Sequence, residues 1–135
     1  MLISSGGVCS YDTRACFAYL DSIAKKQSIA IQFKAFCDMD APVYNLIMKL
    51  NHPLIGLDLD VKILGLLPAD IEKYKCATNE WTDDDENKAN GLVDRIDEIS
   101  KKHDYLVEHL KFFVSMRKKA CLDMIGGGQA IQVNC

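Results

Sequence analysis

The sequence predicts an α/β domain with a helical C-terminal part, and three observations support this prediction. Residues 1–23 read as a strand, a turn and a helix, residues 29–37 alternate in apolar character, and apolar residues recur at helical spacing after Thr82. With 135 residues, 49% of them hydrophobic and 26% charged, the chain has the composition of one ordinary globular domain. We assign residues 1–78 to an α/β core and residues 79–135 to a helical part that packs on the same domain.

The first half of the chain supplies the predicted strands. Residues 1–5 form a short apolar strand, Gly6-Gly7 a turn, and the next residues a helix from Tyr11 to about Ile23. Residues 29–37 are predicted to be a mostly buried strand. A helix over residues 42–50 begins near Pro42, because proline suits a first helical turn. Residues 54–57 and 61–64 are β-like, and residues 68–74 form a short helical turn.

The second half is predicted to be helical. Thr82 is an N-cap candidate with Asp85 three residues later, and acidic residues at positions 83–86 complement the helix dipole. The apolar stripe of this helix consists of Leu92, Ile96 and Ile99. A final helix over residues 104–125 ends at a run of three glycines. Its inward positions are predicted to be Leu106, Leu110, Phe113, Val114, Ala120, Leu122 and Ile125.

Composition excludes several classes of protein. No apolar run reaches the roughly 18 residues of a spanning helix, so we expect no membrane partner. The six cysteines are spaced too irregularly for a zinc site. Because the N-terminus has no signal-peptide pattern, we expect an intracellular protein whose cysteines stay reduced. The formal net charge of −3 does not attract phosphates, so any DNA contact must come from a local patch.

Two carboxylates, Asp38 and Asp40, directly follow the predicted buried strand. Ligands of open α/β sheets bind at the carboxyl ends of strands, and alternate residues of an extended chain point to the same side. Both carboxylates could therefore bind one hard cation, for which Mg²⁺ is the natural candidate. The alternative interpretation is that they are solvated loop residues, or that they cap the helix that begins near Pro42.

Further segments occur in a specific order around this pair. In chain order the sequence has Gly7, Thr13-Arg14, Asp38-x-Asp40, Leu64-Gly65-Leu66-Leu67-Pro68-Ala69-Asp70-Ile71-Glu72-Lys73-Tyr74 and Lys119-Ala120-Cys121-Leu122-Asp123-Met124-Ile125. This order resembles the Toprim region of the topoisomerase VI A subunit family, which includes the meiotic double-strand-break transesterases. The sequence departs from the family pattern at Gly6 (lysine in the family), Cys9-Ser10 (Pro-Asp), Ala41 (proline), Val43 (glycine) and Cys121 (glutamate).

The resemblance implies a Rossmann-like Toprim fold whose sheet is flanked by helices. It implies that Asp38 and Asp40 hold Mg²⁺ beside DNA, and that Arg14 and Lys119 contact DNA phosphates. A tyrosine on a separate winged-helix domain performs the transesterification in this family, so we expect no catalytic residue in this chain and no cleavage by it alone. The family's third acidic residue, a glutamate, is likewise expected upstream. The resemblance also implies a homodimer, a nuclear location and a partner of the topoisomerase VI B-type subunit class.

Several alternatives remain open at this stage. The chain could be a degenerate, non-catalytic Toprim that serves as a dimerisation or partner-binding module. Arg14 could pair with Asp38 or Asp40 instead of phosphate, and Lys119 could belong to a solvated basic face. The five tyrosines match no nucleophile position, so we expect them to pack with a hydrogen-bonded hydroxyl. A receiver-like phosphoacceptor domain fits poorly, because no lysine is recognisably placed to complete its site.

Overall fold

A computed structural model of the chain describes residues 10–52, 57, 59–96 and 104–122. These residues form a mixed α/β structure with one parallel and one antiparallel two-stranded sheet, which confirms the predicted fold class. The elements in chain order are α1 (Tyr11–Lys26), β1 (Phe33–Phe36), α2 (Ala41–Asn51), β2 (Val61–Gly65), α3 (Pro68–Tyr74), β3 (Asn79–Glu80), α4 (Asp83–Val93), α5 (Asp104–Met116) and β4 (Lys118–Lys119). The predicted strand over residues 1–5, most of the β-like run 54–57, Ile99 and the glycine run lie outside the described residues.

Helix α1 forms where the sequence predicts it, and the hydroxyl of Ser10 caps its N-terminus by accepting from the backbone N–H of Thr13 at 3.1 Å. The helix contacts β1 through the rings of Phe17 and Phe33, whose centroids are 5.6 Å apart. Tyr11 and Tyr19 are instead exposed, with 77% and 66% of their surface accessible. The helical spacing of these tyrosines is therefore real, but their side chains lie outside the packed face.

The strand predicted over residues 29–37 is shorter than expected. It spans Phe33–Phe36, and both Ile29 and Ile31 are exposed. Ser28 has a φ of 56°, and the N–H of Ile29 bonds back to the carbonyl of Ala24, so the chain is still leaving the helix at this point. Alternating apolar residues become a strand only where a neighbouring strand accepts their backbone hydrogen bonds, and β2 pairs only with the end of this run.

The parallel pair β1–β2 has one buried face and one exposed face. Phe33 lies beside Val61 and Ala35 beside Ile63 on the inner face, whereas Lys34 and Lys62 face outward. On the side of β2 that does not pair with β1, the side chain of Asn51 binds the backbone of Val61. The Asn51 amide donates to the Val61 carbonyl at 3.1 Å and accepts from the Val61 N–H at 2.9 Å. The hydroxyl of Tyr105 donates to the same carbonyl. A buried asparagine thus replaces a strand neighbour.

Helices α2, α4 and α5 form the core against the inner face of the sheet. Leu106, Leu110 and Phe113 of α5 are at most 1% exposed, which confirms the predicted inward positions of that helix. The rings of Tyr44 and Phe113 lie 4.8 Å apart at the centre of this core. Leu92 of α4 completes it at 1% exposure, and the capping box predicted at the start of α4 is present. In the described part of the chain, no helix is long and apolar enough to cross a membrane.

The final helix was predicted over residues 104–125, and this boundary is wrong. Helix α5 ends at Met116, and Arg117 adopts a left-handed conformation with a φ of 53°. Lys118–Lys119 then pair antiparallel with Asn79–Glu80 as β4. The apolar residues at 120 and 122 continue the helical spacing, but pairing with other extended segments satisfies the backbone of this stretch instead. Ala120 is buried as predicted, although it lies on an extended segment.

The expectation that all cysteines stay reduced is partly wrong. Cys16, Cys37 and Cys76 are free thiols. Cys121 is disulfide-bonded. Sequence spacing could not indicate this bond, because disulfide formation depends on the distance between two cysteines in the folded chain.

Candidate functional site at the end of strand β1

The candidate site lies where the chain leaves β1. Asp38 and Asp40 follow the strand at its carboxyl end, and Met39 between them is fully buried. Met39 forms an antiparallel bridge with Ala120: its N–H donates to the Ala120 carbonyl at 2.8 Å and its carbonyl accepts from the Ala120 N–H at 3.1 Å. The segment after β4 therefore runs directly along the two carboxylates. The Asp38-x-Asp40 motif and the motif that begins at Lys119 therefore lie side by side in the fold.

Each of the two aspartates uses one carboxylate oxygen in a structural hydrogen bond. Asp38 Oδ1 accepts from the backbone N–H of Leu122 at 2.7 Å. Asp40 Oδ1 accepts from the N–H of Val43 at 3.0 Å and caps the N-terminus of α2, so the capping interpretation is confirmed for this residue. The second oxygen of each carboxylate accepts no hydrogen bond from the described residues. Both residues are half-buried.

Burial and mutual repulsion raise the pKa values of the groups around this pair. Burial raises the pKa of Asp40, the N–H of Val43 opposes this effect, and the charge of Asp38 raises it further. Burial, with added repulsion from both carboxylates, raises the pKa of the Cys37 thiol to about 12. Burial also raises the pKa of Tyr44, with smaller contributions from Cys37 and Asp40. The thiol and the phenol therefore stay neutral at physiological pH, and the aspartates supply the negative charge of the site.

Lys119, the residue before Ala120, forms an ion pair with a third aspartate, Asp85. Lys119 Nζ donates to Asp85 Oδ2 at 2.9 Å, and the two side chains are only 16% and 12% exposed. The same oxygen accepts from the N–H and the hydroxyl of Thr82 at 2.9 Å and 2.8 Å. Burial opposes ionisation of Asp85, but these hydrogen bonds outweigh it and lower its pKa to about 2. The predicted capping role of Asp85 is confirmed, whereas nothing in the sequence indicated its ion pair with a residue 34 positions away.

The structure does not bring Arg14 together with the two aspartates. Its side chain is exposed in the first turns of α1, and within residues 10–52, 57, 59–96 and 104–122 no ion pair or hydrogen bond joins it to Asp38 or Asp40. Of the two basic residues predicted to contact DNA, Lys119 pairs with Asp85 and Arg14 is exposed.

Comparison with protein families identifies the fold that carries this site. Residues 1–130 match the family model for the Toprim domain of the topoisomerase 6 A subunit/Spo11 proteins. The chain belongs to this Toprim family. The match covers nearly the whole sequence and confirms the resemblance on which the motifs were aligned. Comparison with curated proteins gives no match.

The donor chemistry of this Toprim domain fits Mg²⁺ at the two aspartates. Magnesium prefers oxygen ligands and keeps several waters, so two carboxylate oxygens that accept no other hydrogen bond are a suitable protein contribution. In the described ranges, no group of three or more His, Cys, Asp or Glu side chains could hold a metal ion. Asp38 and Asp40 would therefore hold the ion with water in most coordination positions.

The tyrosines of the Toprim domain have three different environments. Tyr74 is exposed like Tyr11 and Tyr19, so the packing expected of these three is wrong. Tyr105 packs with a hydrogen-bonded hydroxyl, as expected. Tyr44 is 1% exposed and packs as expected, yet among the described residues its hydroxyl has no hydrogen-bond partner, and neither does the indole N–H of Trp81. Sequence reasoning missed this pair of unsatisfied buried groups, because pairing depends on tertiary geometry.

Proposed function

We propose that this Toprim domain binds Mg²⁺ through Asp38 and Asp40 and supports DNA cleavage by a tyrosine from another domain. One observation carries the proposal: two carboxylates lie at the carboxyl end of a parallel strand, and each keeps one oxygen outside the hydrogen bonds of the described residues. The same proposal includes DNA as the substrate, a homodimer, a nuclear location and a partner of the topoisomerase VI B-type subunit class. Family membership supports DNA binding and the dimer, whereas the nuclear location and the B-type partner are further parts of the proposal.

The residues of the chain would position the metal and not attack the DNA. Mg²⁺ held by Asp38 and Asp40 would supply positive charge that neutralises the negative charge developing on a DNA phosphate. Asp40 is fixed for this role by its hydrogen bond to the first turn of α2, and Asp38 by its bond to Leu122. Because backbone N–H groups hold one oxygen of each carboxylate, the direction of the other oxygen is set before a ligand arrives.

Phosphate contact by Arg14 and Lys119 completes the proposal. Arg14 is exposed and can meet a phosphate without losing another partner. Lys119 is paired with Asp85, so a phosphate would have to compete with that carboxylate. We therefore expect Arg14→Gln to weaken DNA binding more than Lys119→Gln does. The measurement is DNA affinity as a function of salt, in which loss of one phosphate contact lowers the salt slope by about 1.

A magnesium titration followed by amide NMR tests the metal site directly. Selective shifts of residues 38–41 are expected, and Asp40→Asn should reduce them strongly. This variant is informative because asparagine caps a helix as well as aspartate does, so the fold is kept while a charge is removed. Asp94→Asn is the matched control, since it removes one exposed carboxylate at the far end of α4. Equal Mg²⁺-induced shifts in the natural chain, Asp40→Asn and Asp94→Asn would contradict a role of Asp40 in metal binding.

The catalytic part of the proposal needs a protein that also carries the tyrosine. In such a longer, active protein, Asp40→Asn should abolish Mg²⁺-dependent DNA cleavage while DNA binding remains. Full cleavage activity of the variant would contradict the proposal. Measuring cleavage and binding on the same preparation separates loss of metal from loss of fold.

A second candidate function, a non-catalytic dimerisation or partner-binding module, is favoured by a different observation. Both aspartates already have structural roles, since Asp38 holds Leu122 and Asp40 caps α2. In the part of the chain that the structure describes, no third acidic side chain joins them as a ligand. Absence of any Mg²⁺-induced shift, together with a stable dimer in sedimentation velocity, would favour this function over the first.

A further inference from the structure

An antiparallel bridge brings the backbone of Lys119 close to that of Asp40. The bridge between Met39 and Ala120 is antiparallel, so the residue after Met39 faces the residue before Ala120. Residues opposed in this way have Cβ atoms about 5 Å apart and side chains on the same face. The ammonium of Lys119 is also bound to Asp85 at 2.9 Å. One positive charge is therefore bound to Asp85 and is close enough to the proposed metal ligand Asp40 to oppose the rise that burial causes in the pKa of that carboxyl.

The backbone fixes this lysine from both sides. Lys118 pairs with Glu80 in the β3–β4 sheet, and Ala120 forms two hydrogen bonds with Met39. The Lys119 side chain is 16% exposed and ends on a carboxylate that Thr82 also holds. The ammonium thus has neither the backbone freedom nor the solvent access of an ordinary surface lysine.

We propose that Lys119 is a built-in cation that weakens divalent metal binding at Asp38 and Asp40. The inference rests on the proposed function, because it concerns the affinity of that site for Mg²⁺. It assigns Lys119 a role different from phosphate contact: it competes by charge with the ion that the two aspartates would hold. A doubly charged ion at the aspartates is repelled by the ammonium, and the negative charge that attracts the ion is partly neutralised before it arrives.

The size of the effect follows from Coulomb's law. At about 6 Å and with the dielectric constant of water, a single and a double positive charge repel each other enough to change affinity about tenfold. Removing the charge of Lys119 should therefore tighten Mg²⁺ binding by about tenfold. Lys119→Arg keeps the charge and should leave the affinity close to that of the natural chain.

A matched control is present on the neighbouring residue. Lys118 carries the same charge, but it lies on the opposite face of β4, where it pairs with Glu80 at 3.5 Å. Lys118→Gln changes the net charge of the protein by the same amount as Lys119→Gln. If the effect of Lys119 is local, Lys118→Gln should not increase the affinity for Mg²⁺. If the effect comes from the overall charge of the protein, both variants should bind Mg²⁺ more tightly by the same factor.

The experiment is a Mg²⁺ titration of the full 135-residue chain and its variants, followed by amide shifts at residues 38–41. The expected result is about tenfold tighter binding for Lys119→Gln, with Lys119→Arg and Lys118→Gln unchanged. Lys119→Met, with an unbranched neutral side chain, repeats the test should the glutamine variant fail to fold. Unchanged affinity in a folded, neutral variant overturns the inference, as does an equal gain in Lys118→Gln. Absence of Mg²⁺-induced shifts in every protein would instead overturn the proposed metal function itself.

Discussion

Neutralising Asp85 by Asp85→Asn should destabilise the protein in a pH-dependent way. Three hydrogen bonds converge on one of its oxygens, from the N–H and hydroxyl of Thr82 and from Lys119. Asparagine can still accept from Thr82, so the variant removes chiefly the charge. A pKa lowered from 3.8 to about 2 corresponds to about 2 kcal/mol of stability at neutral pH. Because the Asp85–Lys119 ion pair is partly exposed to water, we expect the free energy of unfolding to fall by about 1–2 kcal/mol.

The pH dependence follows from the direction of the shift. Since the folded protein holds the Asp85 proton less tightly than the unfolded chain, the contribution of this carboxylate is complete above its unfolded pKa. It is lost as the pH falls through the range from about 4 to about 2, and roughly half remains near pH 3.

Urea unfolding of the natural chain and of Asp85→Asn at several pH values measures this directly. The free-energy difference between them should shrink as the pH falls. Asp83→Asn, at an exposed position in the same helical turn, controls for the helix dipole and should cost only about 0.5 kcal/mol. A difference of constant size down to about pH 3 would refute the assignment of this stability to the ionised carboxylate.

Three further substitutions test the fold around the site. Asp40→Ala should lose the cap on Val43 and about 1 kcal/mol of stability in urea unfolding, whereas Asp40→Asn should keep it. Asn51→Leu should cost about 1–3 kcal/mol by the same measurement, because both backbone groups of Val61 lose their amide partner in the interior. Tyr44→Phe should leave the melting temperature unchanged or raise it, because the buried hydroxyl that it removes has no hydrogen-bond partner in the part of the chain that the structure describes.

Each of these expectations has a clear contrary result. Equal losses in the alanine and asparagine variants of Asp40 would mean that the residue stabilises α2 through its charge and not as a cap. A neutral Asn51→Leu would show that the edge of β2 is satisfied by other groups. A substantial loss on Tyr44→Phe would show that the hydroxyl has a partner in solution, such as a buried water.

Local sequence signals predicted several elements well. Thr82, predicted as an N-cap, and Asp40, for which capping was the alternative interpretation, each begin a helix through a hydrogen bond to a residue three positions along the chain; the same role of Ser10 was not predicted. The apolar stripe of α5 also follows from sequence, because helical geometry fixes which residues share a face. The pair Asp38-x-Asp40 was recognisable because its position depends only on where the preceding strand ends.

The sequence by itself therefore determined the α/β class, the family and the two candidate metal ligands, all of which depend on short-range pattern and motif order. Tertiary structure decided how far the first long strand extends, that α5 ends at Met116, and that Lys119 pairs with Asp85. These features arise from contacts between segments tens of residues apart. Backbone groups and charges take the partners that folding places beside them, and periodicity along one segment carries no information about those partners.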